Sequence, residues 1–251
     1  MISATIITLN EEDRIEKAIH GVLGAADEII VLDCGSTDKT VEKAKRAGAK
    51  IYFRKFDNFS NQKNYAASKT SGDWILSLDA DEEIPKQLIL EIKNAVKNKI
   101  YNGYLIPRRN FILGKEIKYS RWSPDTHIWL WKKNFGKWVG DVHEEVVVEG
   151  KVGRLKNAKI HNQKETISEF IKANDFYANL LAESLFKKGK RFSFFKLIRD
   201  PIFEFFIRFF YKLGFLDGFR GFILSYLMAI YKISVWIKIY ELQNFKFNQN
   251  E

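Results

Sequence analysis

The chain has 251 residues, 46% of them hydrophobic and 29% charged, which is enough apolar content for a full core and excludes disordered, collagenous and low-complexity classes. Its formal net charge of +10 admits three kinds of partner: nucleic acid, an anionic membrane surface or a phosphorylated substrate. The one cysteine, Cys34, cannot form an intramolecular disulfide, leaves no structural Cys/His metal site, and fits a reducing cytoplasm most simply.

The N-terminus, Met1-Ile2-Ser3-Ala4-Thr5-Ile6-Ile7, has no basic leader, so no signal peptide is expected. Ala4 to Leu9 reads as a buried strand, and Asn10 as the N-cap of a helix with Glu11, Glu12 and Asp13 in its first turn. Ile15, Ala18, Ile19, Val22 and Leu23 share one face of that helix. Glu28 to Leu32 predicts a second strand, Asp38 to Ala47 a helix closed by Gly48, and Lys50 to Phe53 a third strand. Ser60 is the expected cap of the next helix, Trp74 to Leu78 a fourth strand, and Pro85 the first residue of a further helix. Strands alternating with helices predict a parallel sheet with right-handed crossovers.

After Ile100 the pattern changes. Tyr104-Leu105-Ile106 and His127 to Trp131 read as mixed or antiparallel strands. From Thr166 the period is helical again, with Ile167, Phe170, Ile171, Tyr177, Ala178, Leu181 and Leu185 in one stripe, expected to pack as core.

Ligands of an open parallel sheet bind beyond the carboxyl ends of its strands. Here those ends read Thr8-Leu9-Asn10-Glu11, Asp33-Cys34-Gly35-Ser36-Thr37-Asp38 and Asp79-Ala80-Asp81-Glu82. Neither a Gly-x-Gly-x-x-Gly nor a Gly-Lys-Ser/Thr loop is present, which removes the main support for dinucleotide and P-loop readings. An acid-x-acid triplet is weak evidence by itself, since chance gives about four in a chain this acidic. Its position directly after an apolar strand is what gives Asp79 and Asp81 meaning: two carboxylates on a tight turn can hold one hard divalent cation, whose other ligands come from substrate phosphates. The alternative is a solvated turn at an acidic helix start.

These residues, with Gln62-Lys63-Asn64, resemble the family 2 glycosyltransferases of the GT-A fold. Trp122-Ser123-Pro124-Asp125, Val142-His143-Glu144 and Gly214-Phe215-Leu216-Asp217-Gly218 are similar to the branch that contains lipopolysaccharide-core β-1,4-glucosyltransferases. The resemblance implies an α/β fold, a Rossmann-like, mostly parallel sheet with helices on both faces, plus a C-terminal helical extension. It divides the chain into a nucleotide-sugar-binding half (1–105), an acceptor-binding and catalytic half (106–165) and a helical, membrane-interface region (166–251). It also implies roles. Thr8, Asn10, Glu11 and Ser36 would line the nucleotide pocket, Asp33 would accept from the base of a UDP-sugar, Lys63 would face the diphosphate, and Asp79 would hold the ribose or a metal-bound water. Asp81 would ligate Mg²⁺ or Mn²⁺, with His161 a further metal or phosphate ligand or else a packed histidine. An inverting transfer needs a carboxylate base; Glu144 is favoured by the branch's His-Glu pattern, and Asp141 stands second. His143 either orients Glu144 or packs as a ring, and Trp122, Asp125 and His143 would meet the acceptor. One departure stands out: the branch has an arginine where this chain has Trp129, which opens the identity of the acceptor.

Residues 192 to 222 hold eleven phenylalanines among basic side chains, and from Lys187 onward twelve basic residues face five acidic ones, a balance of +7. The longest uncharged run, Gly221 to Tyr231, is eleven residues, against about 20 for a membrane span, so interfacial helices are expected rather than a crossing. The combined expectation is an inverting, metal-dependent enzyme acting on a lipopolysaccharide-core or other lipid-linked glycan, cytoplasmic and peripheral on the inner face of the cytoplasmic membrane. Transfer to a polyprenyl phosphate or a protein is the runner-up. A nucleic-acid-binding module is disfavoured, because the basic residues intersperse with Phe and Leu in helical stripes.

Overall fold

The computed structural model describes residues 1–140, 144–163 and 165–245. The chain forms two compact units, Met1–Arg109 with Asp125–Asn162, and Asn110–Pro124 with Gln163–Glu251. In chain order the elements are β1 (Ile2–Thr8), α1 (Ile15–Val22), β2 (Glu28–Asp33), α2 (Thr40–Arg46), β3 (Lys50–Phe53), α3 (Phe59–Ser68), β4 (Trp74–Asp79), β5 (Glu82–Glu83), α4 (Lys86–Ala95), β6 (Gly103–Ile112) and β7 (Lys115–Ile117). They continue as β8 (Asp125–Lys132), β9 (Gly136–Val139), β10 (Glu145–Val148), β11 (Val152–Arg154), β12 (Lys159–Asn162), α5 (Ile167–Lys187), α6 (Phe194–Phe206) and α7 (Gly218–Asn244).

In the first unit the sheet runs β3-β2-β1-β4-β8-β6. β1 lies between β2 and β4, parallel to both, and is buried along nearly its whole length. That explains its unbroken apolar run, since a central parallel strand is covered on both faces. β8 is antiparallel to β4 and β6, the change of pattern expected after Ile100. Ile15, Ala18, Ile19 and Val22 of α1 are buried, and Leu88 and Ile92 of α4 join the same core. The pairing places Thr8 opposite Asp33 and Ile7 opposite Asp79. Three polar strand ends are thereby brought side by side, where a parallel sheet offers its crevice.

The helix starts differ from expectation in an instructive way. Asn10 does not cap α1; it has φ +53° and its Oδ1 accepts from the Thr37 N–H at 2.9 Å, while α1 begins only after Arg14. Asn58, not Ser60, caps α3 by accepting from the Asn61 N–H at 2.8 Å; Ser60 Oγ instead donates to the Gly140 carbonyl. Pro85 is the N-cap of α4 rather than its first residue. Both polar side chains left local capping for contacts distant in sequence, which local pattern cannot register.

The second unit is helical, with a β6–β7 hairpin at Asn110–Ile117. Thr166 caps α5, accepting from the Glu169 N–H. The predicted α5 stripe packs only in part: Phe170 and Ala178 are buried, whereas Ile167, Ile171 and Tyr177 are exposed. α7 is longer and more apolar than the charge-free run alone suggests. Gly214–Asn244 contains an 18-residue window of mean hydropathy 1.5, 44% buried, so by length and composition this helix is long and apolar enough to cross a membrane. A charge-free run underestimates such a helix, because isolated lysines interrupt the run while the helix as a whole stays apolar.

Gly221 sits where α7 meets the turn at Gly214: a Cβ there would lie 1.9 Å from the Gly214 carbonyl oxygen. Backbone cannot yield as a side chain can. Gly221→Ala should therefore cost about 1–3 kcal/mol or more, the usual scale of overpacking, read as a lower urea midpoint at an unchanged slope.

Candidate active site

The first unit gathers its charges at the strand ends. Lys63, from the second turn of α3, is 5% exposed. Its Nζ lies 2.8 Å from Glu144 Oε1 and 3.2 Å from Asp79 Oδ1, and 4.4 Å from the centroid of the Trp138 ring. Burial alone would lower the pKa of this ammonium, but the Asp79 and Glu144 carboxylates more than offset that and hold it firmly protonated. Asp79 is the mirror case. Burial would raise it, and Lys63, Lys159, His161 and Arg108 together hold it well below the usual carboxylate range.

Two turns meet at the sheet end beside it. β5 pairs antiparallel with β12, His161 opposite Glu82, and this register sets His161 Nε2 3.3 Å from Asp81 Oδ1. The Asp81 carbonyl also accepts from the Asn162 N–H at 2.9 Å. Adjacent ligands of an octahedral ion with bonds near 2.1 Å are about 3 Å apart, so this pair suits one divalent cation. Among the described residues no group of three or more His, Cys, Asp and Glu could hold a metal by itself. A cation held by this pair would need its remaining ligands from elsewhere, and a bound phosphate is the usual source for Mg²⁺.

The first two strand-end loops are tied to each other. The Asn10 N–H donates to Ser36 Oγ at 2.9 Å, and the Glu11 N–H to Thr40 Oγ1 at 2.8 Å. The Glu11 carboxylate pairs with Arg14 at 3.3 Å. Asp33, 4% exposed, accepts from the N–H groups of Gly35 and Ser36 at 2.9 and 3.0 Å. A carboxylate has about four lone-pair sites, so this turn leaves acceptor capacity at Asp33. The Thr8 hydroxyl is buried with no hydrogen-bond partner among the described residues. Asn10 and Ser36 thus shape the loop, and Thr8 and Asp33 keep polar capacity. Burial, with the Asp33 charge adding, pushes the Cys34 thiol up to about 11, so it is a poor nucleophile.

Asp125 Oδ2 accepts from Arg108 Nε at 2.7 Å, and His127 Nε2 lies 2.9 Å from Asp125 Oδ1. Trp122 belongs to the second unit, where Arg208 stands 5.4 Å from its ring centroid. Asp141 and His143 lie outside the described residues.

Sequence reasoning missed the layer beneath. Glu82 is fully buried and holds Lys159 Nζ at 2.5 Å and Arg108 Nη1 at 3.2 Å, and its Oε2 accepts from the Asp79 N–H at 3.0 Å. It therefore fixes the turn that carries Asp79 and Asp81. The Trp129 ring lies among Lys159, Arg108 and Lys63, at 3.2, 5.3 and 5.7 Å from its centroid. The position where the branch carries a cation is, in this chain, a ring with three cations around it. Burial pulls Lys159 down to about 8 against the opposing pull of Glu82. The available signal was a lone lysine in the apolar stretch Ala158-Lys159-Ile160. Lys159→Met should destabilise the fold by about 1–3 kcal/mol, because Glu82 loses its partner at 2.5 Å but keeps Arg108 at 3.2 Å; urea unfolding measures it.

A parallel sheet carries clustered acids and a buried lysine at its strand ends and continues in antiparallel strands, the frame that the resemblance to the GT-A fold implies. Residues 3–143 match the sequence profile of glycosyl transferase family 2, and the chain belongs to that family. A glycosyltransferase of Rickettsia typhi is 33% identical over 96% of this chain and 87% of its own length. The lipopolysaccharide core biosynthesis glycosyltransferase LpsC of Rhizobium meliloti is 31% identical over 99% of this chain and 95% of its own. Among solved structures, glucosyl-3-phosphoglycerate synthase from Mycobacterium tuberculosis, in complex with Mn²⁺, UDP and glucosyl-3-phosphoglycerate, is 18% identical with a TM-score of 0.47, covering 77% of this chain and 81% of that one.

Proposed function

We propose that this glycosyltransferase moves a sugar, with inversion, from a UDP-sugar to a lipid-linked glycan of the lipopolysaccharide-core kind at the inner face of the cytoplasmic membrane. The observation that carries the reading is Lys63, whose ammonium bridges Asp79 on the donor side to Glu144 on the base side. Asp33 would accept from the nucleotide base, and Thr8 would line the same pocket. Asp81 and His161 would hold Mg²⁺ or Mn²⁺, which supplies neutralisation of the diphosphate leaving group. Glu144, positioned by its contact with the Lys63 ammonium at 2.8 Å, would take the proton of the acceptor hydroxyl. The hydroxyl oxygen bonds to the anomeric carbon as the bond from that carbon to the diphosphate breaks. Asp125, oriented by Arg108 and His127, would meet the acceptor. The name of the LpsC relative supports the acceptor class. A screen of nucleoside-diphosphate sugars with Mn²⁺, scored by release of the nucleoside diphosphate, tests the proposal. A UDP-sugar should give turnover that rises on adding a lipopolysaccharide-core acceptor; turnover with none of the donors would overturn it.

A further inference from the structure

The second unit leaves much apolar surface uncovered, in an ordered pattern. On α7, Leu224, Leu227, Tyr231, Val235 and Ile239 are buried. Phe222, Tyr226, Ile230, Ile233, Ile237 and Tyr240 are exposed at steps of three and four, an apolar stripe along the length of the helix. α6 and the π-helical turn that follows it, Ile207–Tyr211, repeat the pattern: Phe195, Ile198, Ile202, Phe206 and Phe210 are exposed at the same steps, and Phe195 is 70% exposed. Between the stripes stand Tyr211 and Phe219, each 76% exposed. Phe206 stacks on Phe210 and Phe222 on Tyr226, so the rings lean on one another along the surface.

We propose that these two stripes form one docking face for an anionic lipid bilayer, with α6 and α7 lying in its interface. The proposal rests on the reading that the acceptor is lipid-linked, and it names the surface that meets the lipid. Charge selects the occupant. Lys187, Lys188, Lys190, Arg191, Lys212 and Arg220 are all exposed in this unit, and a segment carrying +7 repels a second copy of itself while it complements anionic headgroups. Packing selects lying over crossing. α7 buries one side along its length against α5 and α6, and Lys238 on its flank pairs with Asp175 of α5 at 2.8 Å. A crossing would surround that side with lipid, whereas an interfacial helix needs only one apolar face. Arg208, which composition alone would count as a headgroup contact, takes no part: it is buried, pairs with Glu204 at 2.6 Å and donates to the Ser120 carbonyl at 2.9 Å.

The test is co-sedimentation of the full chain with phosphatidylcholine vesicles, with and without phosphatidylglycerol. The chain should pellet with the anionic vesicles at low salt and release in part as salt rises. The variant Phe195→Ser/Phe206→Ser/Phe219→Ser should lose on the order of tenfold or more in vesicle affinity, with its circular dichroism unchanged. Lys190→Glu/Lys212→Glu should lose binding to the anionic vesicles alone. Indifference of the intact chain to anionic vesicles at low salt would overturn the proposal. So would a lipid-free dimer that the aromatic variant turns into monomers, which would assign the face to a second copy. Release of UDP on adding a lipopolysaccharide-core acceptor, measured on the same samples, reads the proposed transfer assignment separately. Its absence beside intact vesicle binding would sink that assignment and leave the docking face standing.

Discussion

Asp81→Asn should lower turnover by on the order of 10²–10³, the equivalent of the several kcal/mol a Lewis acid contributes at a developing phosphate charge. The substitution preserves the shape of the turn and the carbonyl that accepts from the Asn162 N–H. What it removes is one anionic oxygen of the pair 3.3 Å apart, leaving His161 without its partner ligand. Mn²⁺ binding, followed by electron paramagnetic resonance of the free ion, should weaken in parallel, while the unfolding midpoint moves little. His161→Ala should give a smaller loss of the same kind, since it leaves the anionic ligand of the pair in place. Full turnover of Asp81→Asn, unaffected by a chelator, would place the metal elsewhere or dispense with it.

The strands that frame this site were legible because each central strand is an apolar run ended by polar residues, and burial on both faces demands that composition. The family's motifs were legible for the same reason, since strand ends are where chemistry can be placed. Caps were less so: Asn10 and Ser60 have the right chemistry for capping, yet tertiary hydrogen bonds claimed them. Buried ion pairs were least legible. Lysine and glutamate are almost never fully buried unless paired, so sequence assigns Lys159 and Glu82 to solvent, and only the fold reveals that they are partners across 77 positions. Arg208 is hidden in the same way, its partner Glu204 being one turn away and buried with it. α7 is hidden differently. Lys232 and Lys238 broke the uncharged run, although a lysine at a helix flank can reach a carboxylate, as Lys238 reaches Asp175.

Glu144→Gln tests the other half of the mechanism, and its expected loss is about 10²–10⁴ in turnover, the range for removing a general base. The amide is nearly isosteric and can still accept from the Lys63 ammonium, so the structural role of the contact at 2.8 Å survives in large part. Lys63 stays charged in the variant because Asp79, 3.2 Å away, remains. The donor side should therefore be intact, with UDP-sugar affinity close to that of the parent chain. The separation of the two effects is the informative part, because a group that acts only in the transition state lowers turnover without changing ground-state binding. Lys63→Met should behave in the opposite way, since it removes the ammonium that the two carboxylates share and so weakens donor binding as well as turnover. If Asp141→Asn shows the large loss and Glu144→Gln does not, the base is Asp141, and the role of Glu144 reduces to holding Lys63 in place.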